Sequence, residues 1–310
     1  MSIRVIPSGD TLGASIEGVD LARISDADAN AAIEALGRHG VIRFPGQQLG
    51  AADLRNFSAR LGELEVNVIG KHQEPGMPEV MTLSNVVKEG KQIGLPDAGQ
   101  GWHTDMSYSK TIAFANVLYA LEVPQREGRT LGATQFCDMA AAWDDLPSDL
   151  QRRIEGLTAL HDFAKFYDMM RLRPGSTRPP LSDEQRRTKP PVSHPMVITH
   201  PISGRKCLYA NPGYTIRVDG LPPAESDGLL EFLFAHQTQE KYLYTFHWTK
   251  HDVLVWDNFR CIHQAVADYG PDEPRLMKRC QVMASRFVPL QAGARTGNAG
   301  RPSRPVPGSP

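Results

Sequence analysis

The sequence predicts a mainly β fold with flanking helices, a distorted double-stranded β-helix of the jelly-roll, cupin-like kind. Three observations lead there. From Val80 onward, short apolar runs separated by Gly, Pro and Asn recur at the spacing of sandwich or jelly-roll strands. Tyr242, Tyr244, Phe246 and Trp248 recur at every second position, which is the period-two signature of a half-buried strand. Val253-Leu-Val-Trp256 is apolar throughout, as a strand buried on both faces requires.

Taken in order, two short strands open the chain. Ser25-Asp-Ala-Asp28 then starts a helix, because a serine hydroxyl three residues before an acidic side chain suits an N-cap; this helix carries Ile33 and Leu36 and ends near Gly37 or Gly40. A second helix follows Gly50, with Leu54, Phe57 and Leu61 three and four residues apart, the spacing of a helix packed on a sheet. Strands are expected at residues 80–83, 112–121, 196–199 and 208–209. Residues 138–158 carry helical signals around Leu146-Pro147-Ser-Asp-Leu, with Pro147 near a first turn, where its missing N–H costs little. Residues 168–190 are polar and proline-rich, either a surface excursion or a lid that closes on substrate. Residues 1–290 are expected to form one domain, and residues 291–310, rich in Gly, Pro, Arg and Ser, a disordered tail.

A formal net charge of -1 gives no electrostatic reason to expect nucleic acid or an anionic membrane as partner, so the expected partner is a small molecule. No stretch reaches the roughly 18 apolar residues that would span a bilayer. Cys137, Cys207, Cys261 and Cys280 show no C-x-x-C spacing, so they are expected to stay reduced in a cytoplasmic protein.

The chemistry concentrates in His103-Thr104-Asp105. On an extended strand alternate side chains share a face, so His103 and Asp105 point together and Thr104 points away. With His263 downstream, two imidazoles and one carboxylate can occupy one side of a metal and leave the other positions open, the arrangement of non-haem Fe(II) oxygenases. A zinc hydrolase could use the same three ligands with water in the fourth position, and a non-catalytic anion-binding protein could share the fold. A lone histidine is more often part of a buried hydrogen-bond network, and His39, His72, His161, His194, His200, His236, His247 and His251 lie in no comparable constellation. Arg275 and Arg279 add a second feature. Alternation puts both on one face, about 13 Å apart at ~3.3 Å per residue, so two anions could be held at different depths by paired hydrogen bonds.

The ordered set of His103-Thr-Asp105, Gly132-Ala-Thr134-Gln-Phe136, Trp256-Asp-Asn258, His263 and the two arginines resembles the taurine/2,4-D dioxygenase family of Fe(II)- and 2-oxoglutarate-dependent enzymes. The likeness extends to Leu12-Gly-Ala-Ser-Ile-Glu-Gly-Val-Asp-Leu21, Gly40-Val-Ile-Arg-Phe-Pro-Gly-Gln47, Thr199-His-Pro-Ile-Ser-Gly-Arg-Lys206 and Leu208-Tyr-Ala-Asn211, so it covers nearly the whole chain. The resemblance implies Fe(II) on His103, Asp105 and His263, with O2 as oxidant. It implies that Arg275 and Thr134 bind the distal carboxylate of 2-oxoglutarate, that Arg279 binds the anion of the primary substrate, and that Trp256 shields the iron. It further implies hydroxylation of a small anionic substrate with release of succinate and CO2, by a homo-oligomer, a dimer or a tetramer. Taurine-specific members carry a histidine and a tyrosine after a Gly-acidic-Leu segment and an asparagine shortly before the metal histidine; this chain has Asn67, Gly70 and Gly99 there. Taurine is therefore expected to be a poor substrate and a larger sulfonate, sulfate ester or carboxylate a better one, with Asn67 contacting it and Phe163, Phe166 and Tyr167 lining its pocket.

Overall fold

In the computed structural model, residues 3–8, 11–66, 71–173, 176 and 178–287 are described. In chain order the strands of its two main sheets are β1 (Arg4–Pro7), β2 (Ala14–Glu17), β3 (Val41–Phe44), β4 (Gln73–Glu74), β5 (Met77–Ser84), β6 (Ala113–Glu122), β7 (Thr134–Asp138), β8 (Leu243–Phe246), β9 (Val253–Asp257), β10 (Cys261–Ala265) and β11 (Leu276–Met283). Eight of them form one sheet in the order β1-β2-β3-β9-β6-β11-β5-β4, and β8-β7-β10 form a second. Pairing in the large sheet is antiparallel except between β2 and β3. The apolar run of β9 is explained by its place inside this sheet, where every residue from Val253 to Asp257 is buried.

Alternation sorts the side chains of the large sheet into two layers. Val117, Val253, Val255, Cys280 and Val282 point to one face and meet Ile33, Leu36, Leu54, Phe57 and Leu61 from α1 (Asp26–His39) and α2 (Ala51–Leu61). Leu118, Leu254, Trp256 and Met277 point to the other and meet Phe136, Phe246 and Trp248 from the small sheet side. Behind the small sheet, Cys137 and Ile262 pack on α3 (Met139–Asp144) and, further along the chain, α7 (Pro223–Gln237). The result is a mainly β body flanked by helices, with an apolar layer between two sheets.

Local signals set the boundaries. The Ser25 hydroxyl accepts from the Asp28 N–H at 3.1 Å and donates to its carboxylate at 2.7 Å, a cap of the kind that contributes about 1 kcal/mol. The helix stops at Gly40, whose φ of 68° terminates it while its N–H still donates to Leu36 O at 2.7 Å. α4 (Ser148–Ile154) begins directly after Pro147. The turn joining β9 to β10 is tied down by Arg260, which is buried and makes a bidentate pair with Asp138 at 3.1 and 2.6 Å while donating to the carbonyls of Arg38 and Thr11. Removing one partner of such a pair strands a buried charge, at a cost of roughly 3–5 kcal/mol.

The structure corrects two expectations. His103 and Asp105 do not lie on a strand: His103 makes a single bridge and Asp105 opens a turn that passes through Met106 at φ 58°. The aromatic alternation over 242–248 covers a strand of only four residues, because Tyr242 closes a 3-10 turn and Trp248 lies beyond β8. Residues 168–190 carry helix at both ends: α5 (Phe163–Arg171) enters the segment and α6 (Asp183–Thr188) closes it. Arg178 pairs with Asp97 at 2.7 Å through two hydrogen bonds, and Arg173 donates to Gln100 at 2.6 Å, so this segment is fastened to the chain just before His103. Residues 291–310 and Asn67 lie outside the described residues. Among the described residues, no helix is long and apolar enough to cross a membrane, and the four cysteines are free and buried.

Candidate active site

The site is assembled where the small sheet meets the face of the large one. His263 on β10 faces Phe136 on β7 in register, and on its other side it exchanges two backbone hydrogen bonds with His103, at 3.1 and 2.7 Å. The two imidazoles are therefore cross-strand neighbours, with ring centroids 4.2 Å apart. Thr104 points away as alternation demands, donating to Asn258 O at 2.9 Å, and the next side chain, Asp105, returns to the same side as His103. His103 Nε2 lies 3.8 Å from Asp105 Oδ1, and His263 Nε2 lies 3.6 Å from Asp105 Oδ2. One ligand atom from each of the three residues falls within 4.8 Å of the others, and all three residues are buried.

The donor set fits a divalent metal. His103 Nδ1 lies 2.8 Å from Gly101 O, which holds the proton on Nδ1 and leaves Nε2 as the free lone pair. Burial lowers the pKa of both histidines and so favours the neutral imidazole a metal needs. Burial pushes the Asp105 carboxyl upward, but Arg279, both imidazoles and the Asn116 amide outweigh it and bring it down to about 2. Asp105 is therefore ionised, the form a metal would need. Asn116, whose Nδ2 donates to Asp105 Oδ2, sits on the inward face of β6. Asn116 was not singled out from the sequence; its signal is one amide inside the otherwise apolar stretch from Ala113 to Leu121.

A cavity of about 130 Å³ opens on these three residues, and its walls include Thr134, Phe163, Trp256, Arg275 and Arg279. Every site residue expected from the sequence that lies among the described residues is thus brought to one cavity. Trp256 packs against His263 with centroids 4.9 Å apart. Phe166 packs tilted against His103 with ring centroids 4.6 Å apart, and with Phe163, Tyr167, Tyr108 and Tyr214 it forms an aromatic wall. Leu95, Tyr167 and Arg178 are shared with a wider cleft of about 600 Å³ that continues outward.

The arginines meet different surroundings. Arg275 is buried, with Nε lacking any partner and no carboxylate bridged to it among the described residues; burial presses its pKa down, with Tyr269 opposing. Its guanidinium lies 5.9 Å from the Tyr269 ring. A buried cation without a counter-ion is costly unless an anion neutralises it, so the chemistry of this position suits an anionic group. Thr134, also buried, lines the same cavity. Arg279 is half-buried, touches Met81 Sδ at 3.6 Å and likewise has no bridged carboxylate among the described residues.

Residues 4–281 match the family described as "Taurine catabolism dioxygenase TauD, TfdA family". The chain is 34% identical over 299 residues to an alpha-ketoglutarate-dependent 2,4-dichlorophenoxyacetate dioxygenase of Cupriavidus pinatubonensis, covering 93% of this chain and 100% of the relative. It is 31% identical to an alpha-ketoglutarate-dependent sulfate ester dioxygenase of Pseudomonas putida, covering 90% of this chain and 89% of the relative. The solved structure of a taurine dioxygenase from Burkholderia xenovorans superposes with a TM-score of 0.73 at 29% identity, over 91% of each chain.

Proposed function

The chain belongs to the TauD, TfdA family of 2-oxoglutarate-dependent dioxygenases, and from that membership we propose how its own residues divide the work. His103, Asp105 and His263 hold Fe(II) through the two Nε2 atoms and the carboxylate. When bound, the iron supplies the oxidative chemistry: O2 and 2-oxoglutarate become succinate and CO2, and one oxygen atom is inserted into a substrate C–H bond. Arg275 and Thr134 grip the distal carboxylate of 2-oxoglutarate, which orients its 2-oxo acid head toward the three ligands. Arg279 takes the anionic group of the primary substrate, and Phe163 and its aromatic neighbours exclude water from the reacting carbon. Trp256 covers His263 on the inner side. The observation that carries this reading is Arg275, a buried guanidinium with no carboxylate among the described residues, facing the cavity that holds His103, Asp105 and His263.

The substrate is a small organic anion. Relatives named for phenoxyacetate and sulfate ester substrates, and an aromatic wall leading to a wide outer cleft, support a bulky or aromatic carboxylate, sulfonate or sulfate ester over taurine. Asn67, outside the described residues, is retained as a substrate contact by sequence position alone. The family match over residues 4–281 supports one dioxygenase domain within residues 1–290.

The test is anaerobic reconstitution with Fe(II) and 2-oxoglutarate, followed by visible spectroscopy. A weak charge-transfer band that shifts on adding particular aromatic carboxylates or sulfonates is the expected result. Iron bound with no band after 2-oxoglutarate would overturn the cofactor assignment.

A further inference from the structure

We propose that Trp248 is a positioning residue for 2-oxoglutarate: its indole N–H fixes the hydroxyl of Thr134 so that the hydroxyl proton is presented, beside Arg275, to the distal carboxylate. The inference rests on the reading of Thr134 and Arg275 as the carboxylate site, and it adds the residue that sets the polarity of that site.

The argument begins with β8. Phe246 is the last residue of that strand and pairs with Thr134 on β7. Two residues later Trp248 folds back edge-on against the Phe246 ring, with centroids 4.9 Å apart and planes at 89°. Its Nε1 then lies 3.0 Å from Thr134 Oγ1. Both side chains are buried, Trp248 at 2% and Thr134 at 4% exposure, so the bond between them is shielded from bulk solvent.

Indole nitrogen is a donor only, whereas a threonine hydroxyl has one proton and two lone pairs. Thr134 must therefore accept from Trp248, and its own proton has to point elsewhere. Among the described residues no acceptor is found for that proton. Arg275 lines the same cavity with an unpartnered Nε, so two donors lacking acceptors converge on one place. An ionised carboxylate satisfies both, through charge-assisted hydrogen bonds. Without Trp248 the hydroxyl could rotate and offer a lone pair to the carboxylate, which repels it.

The experiment uses the full chain loaded with Fe(II) under anaerobic conditions, with binding measured by titration calorimetry. Two ligands are compared: 2-oxoglutarate, and 2-oxobutyrate, which has the same 2-oxo acid head and no distal carboxylate. Trp248→Phe is expected to raise the Kd for 2-oxoglutarate about five- to tenfold, the loss of one oriented hydrogen bond, and to leave that for 2-oxobutyrate within about twofold. Thr134→Val is expected to weaken 2-oxoglutarate in the same selective way, and the double variant to bind no worse than Thr134→Val alone. Equal losses for both ligands in Trp248→Phe would mark Trp248 as merely structural and overturn the proposal. Unchanged 2-oxoglutarate binding in Trp248→Phe, with Thr134→Val weakened, would also overturn it while leaving the carboxylate site intact. Unchanged binding in both Thr134→Val and Arg275→Ala would instead remove the carboxylate site itself. Should Trp248→Phe fail to fold, benzothienylalanine at position 248 keeps the bicyclic shape without the N–H, and the same ligand selectivity is expected of it; its absence overturns the proposal.

Discussion

Arg275 lies directly across Gly132: a Cβ added at Gly132 would come within 3.2 Å of Arg275 Nε and 3.3 Å of its Cδ. The backbone there has a φ of 70°, a region that L side chains rarely adopt, so glycine answers both to the turn and to the close approach. This gives the Gly132-Ala-Thr134 motif a physical reason. Gly132 makes room for the guanidinium, and two residues later Thr134 lines the same cavity.

Gly132→Ala is accordingly expected to displace Arg275 and raise the 2-oxoglutarate concentration for half-maximal turnover by about tenfold, on top of a backbone cost of about 1 kcal/mol. The primary substrate's requirement should move much less. Steady-state kinetics with each ligand varied in turn checks this; a variant with wild-type 2-oxoglutarate dependence would show that the Arg275 side chain adapts freely.

Arg275→Ala and Arg279→Ala should separate the two anions. Each removes a charge-assisted interaction of about 1.5–3 kcal/mol, or roughly ten- to 150-fold in the affinity of its own ligand. For Arg275→Ala that ligand is 2-oxoglutarate, and for Arg279→Ala it is the primary substrate. The assignment of two depths is wrong if both variants weaken both ligands alike.

Much of this site was legible in the sequence, and the reason is geometric. His103 and Asp105 are two residues apart and alternation carries them to one side, although only His103 makes a bridge and Asp105 already opens a turn. Arg275 and Arg279 share a face for the same reason, with Met277 buried between them. What stayed hidden depends on packing between distant segments. Phe166 is expected in the pocket, but its packing on His103 depends on a helix whose placement no local pattern fixes, and Trp248 reaches Thr134 by curling back past the end of β8. The helix Pro223–Gln237 was not read from the sequence either: apolar and polar residues are not sharply segregated along it, so its periodic signal is weak. Aromatic alternation runs past both ends of the four-residue strand at 243–246, into a 3-10 turn on one side and an irregular segment on the other, so it overstates the strand's length.

Metal dependence distinguishes this site from a hydrolytic one. Chelation followed by Fe(II) should restore turnover and succinate release, whereas Zn(II) should restore neither, since it has no redox chemistry to offer. Asp105→Ala should retain the fold and lose succinate formation almost completely, because two neutral imidazoles alone give a weaker site for a hard dication. Product formation that persists with Zn(II) in place of iron would contradict the assignment.

A further prediction concerns pH and lies away from the metal. His161 is fully buried beside His194, with ring centroids 5.6 Å apart, and its Nε2 has no hydrogen-bond partner among the described residues. Burial chiefly, then the charges of His194 and Lys165, lower its pKa from 6.5 to about 3. The unfolded chain takes up a proton near pH 6.5 that the folded protein refuses until about pH 3. Stability linked to His161 is therefore fully present above pH 6.5 and falls as the pH drops toward 3, by ~1.4 kcal/mol per unit. Burial lowers the pKa of His194 as well, so its contribution has the same sign. Urea unfolding at pH 7.5 and pH 5 should show this loss, about 2 kcal/mol from His161 alone, before most carboxylates titrate. His161→Asn should be less stable at pH 7.5 yet lose less on acidification. If its stability fell between those two pH values as steeply as that of the wild type, the refused proton would have to be assigned elsewhere.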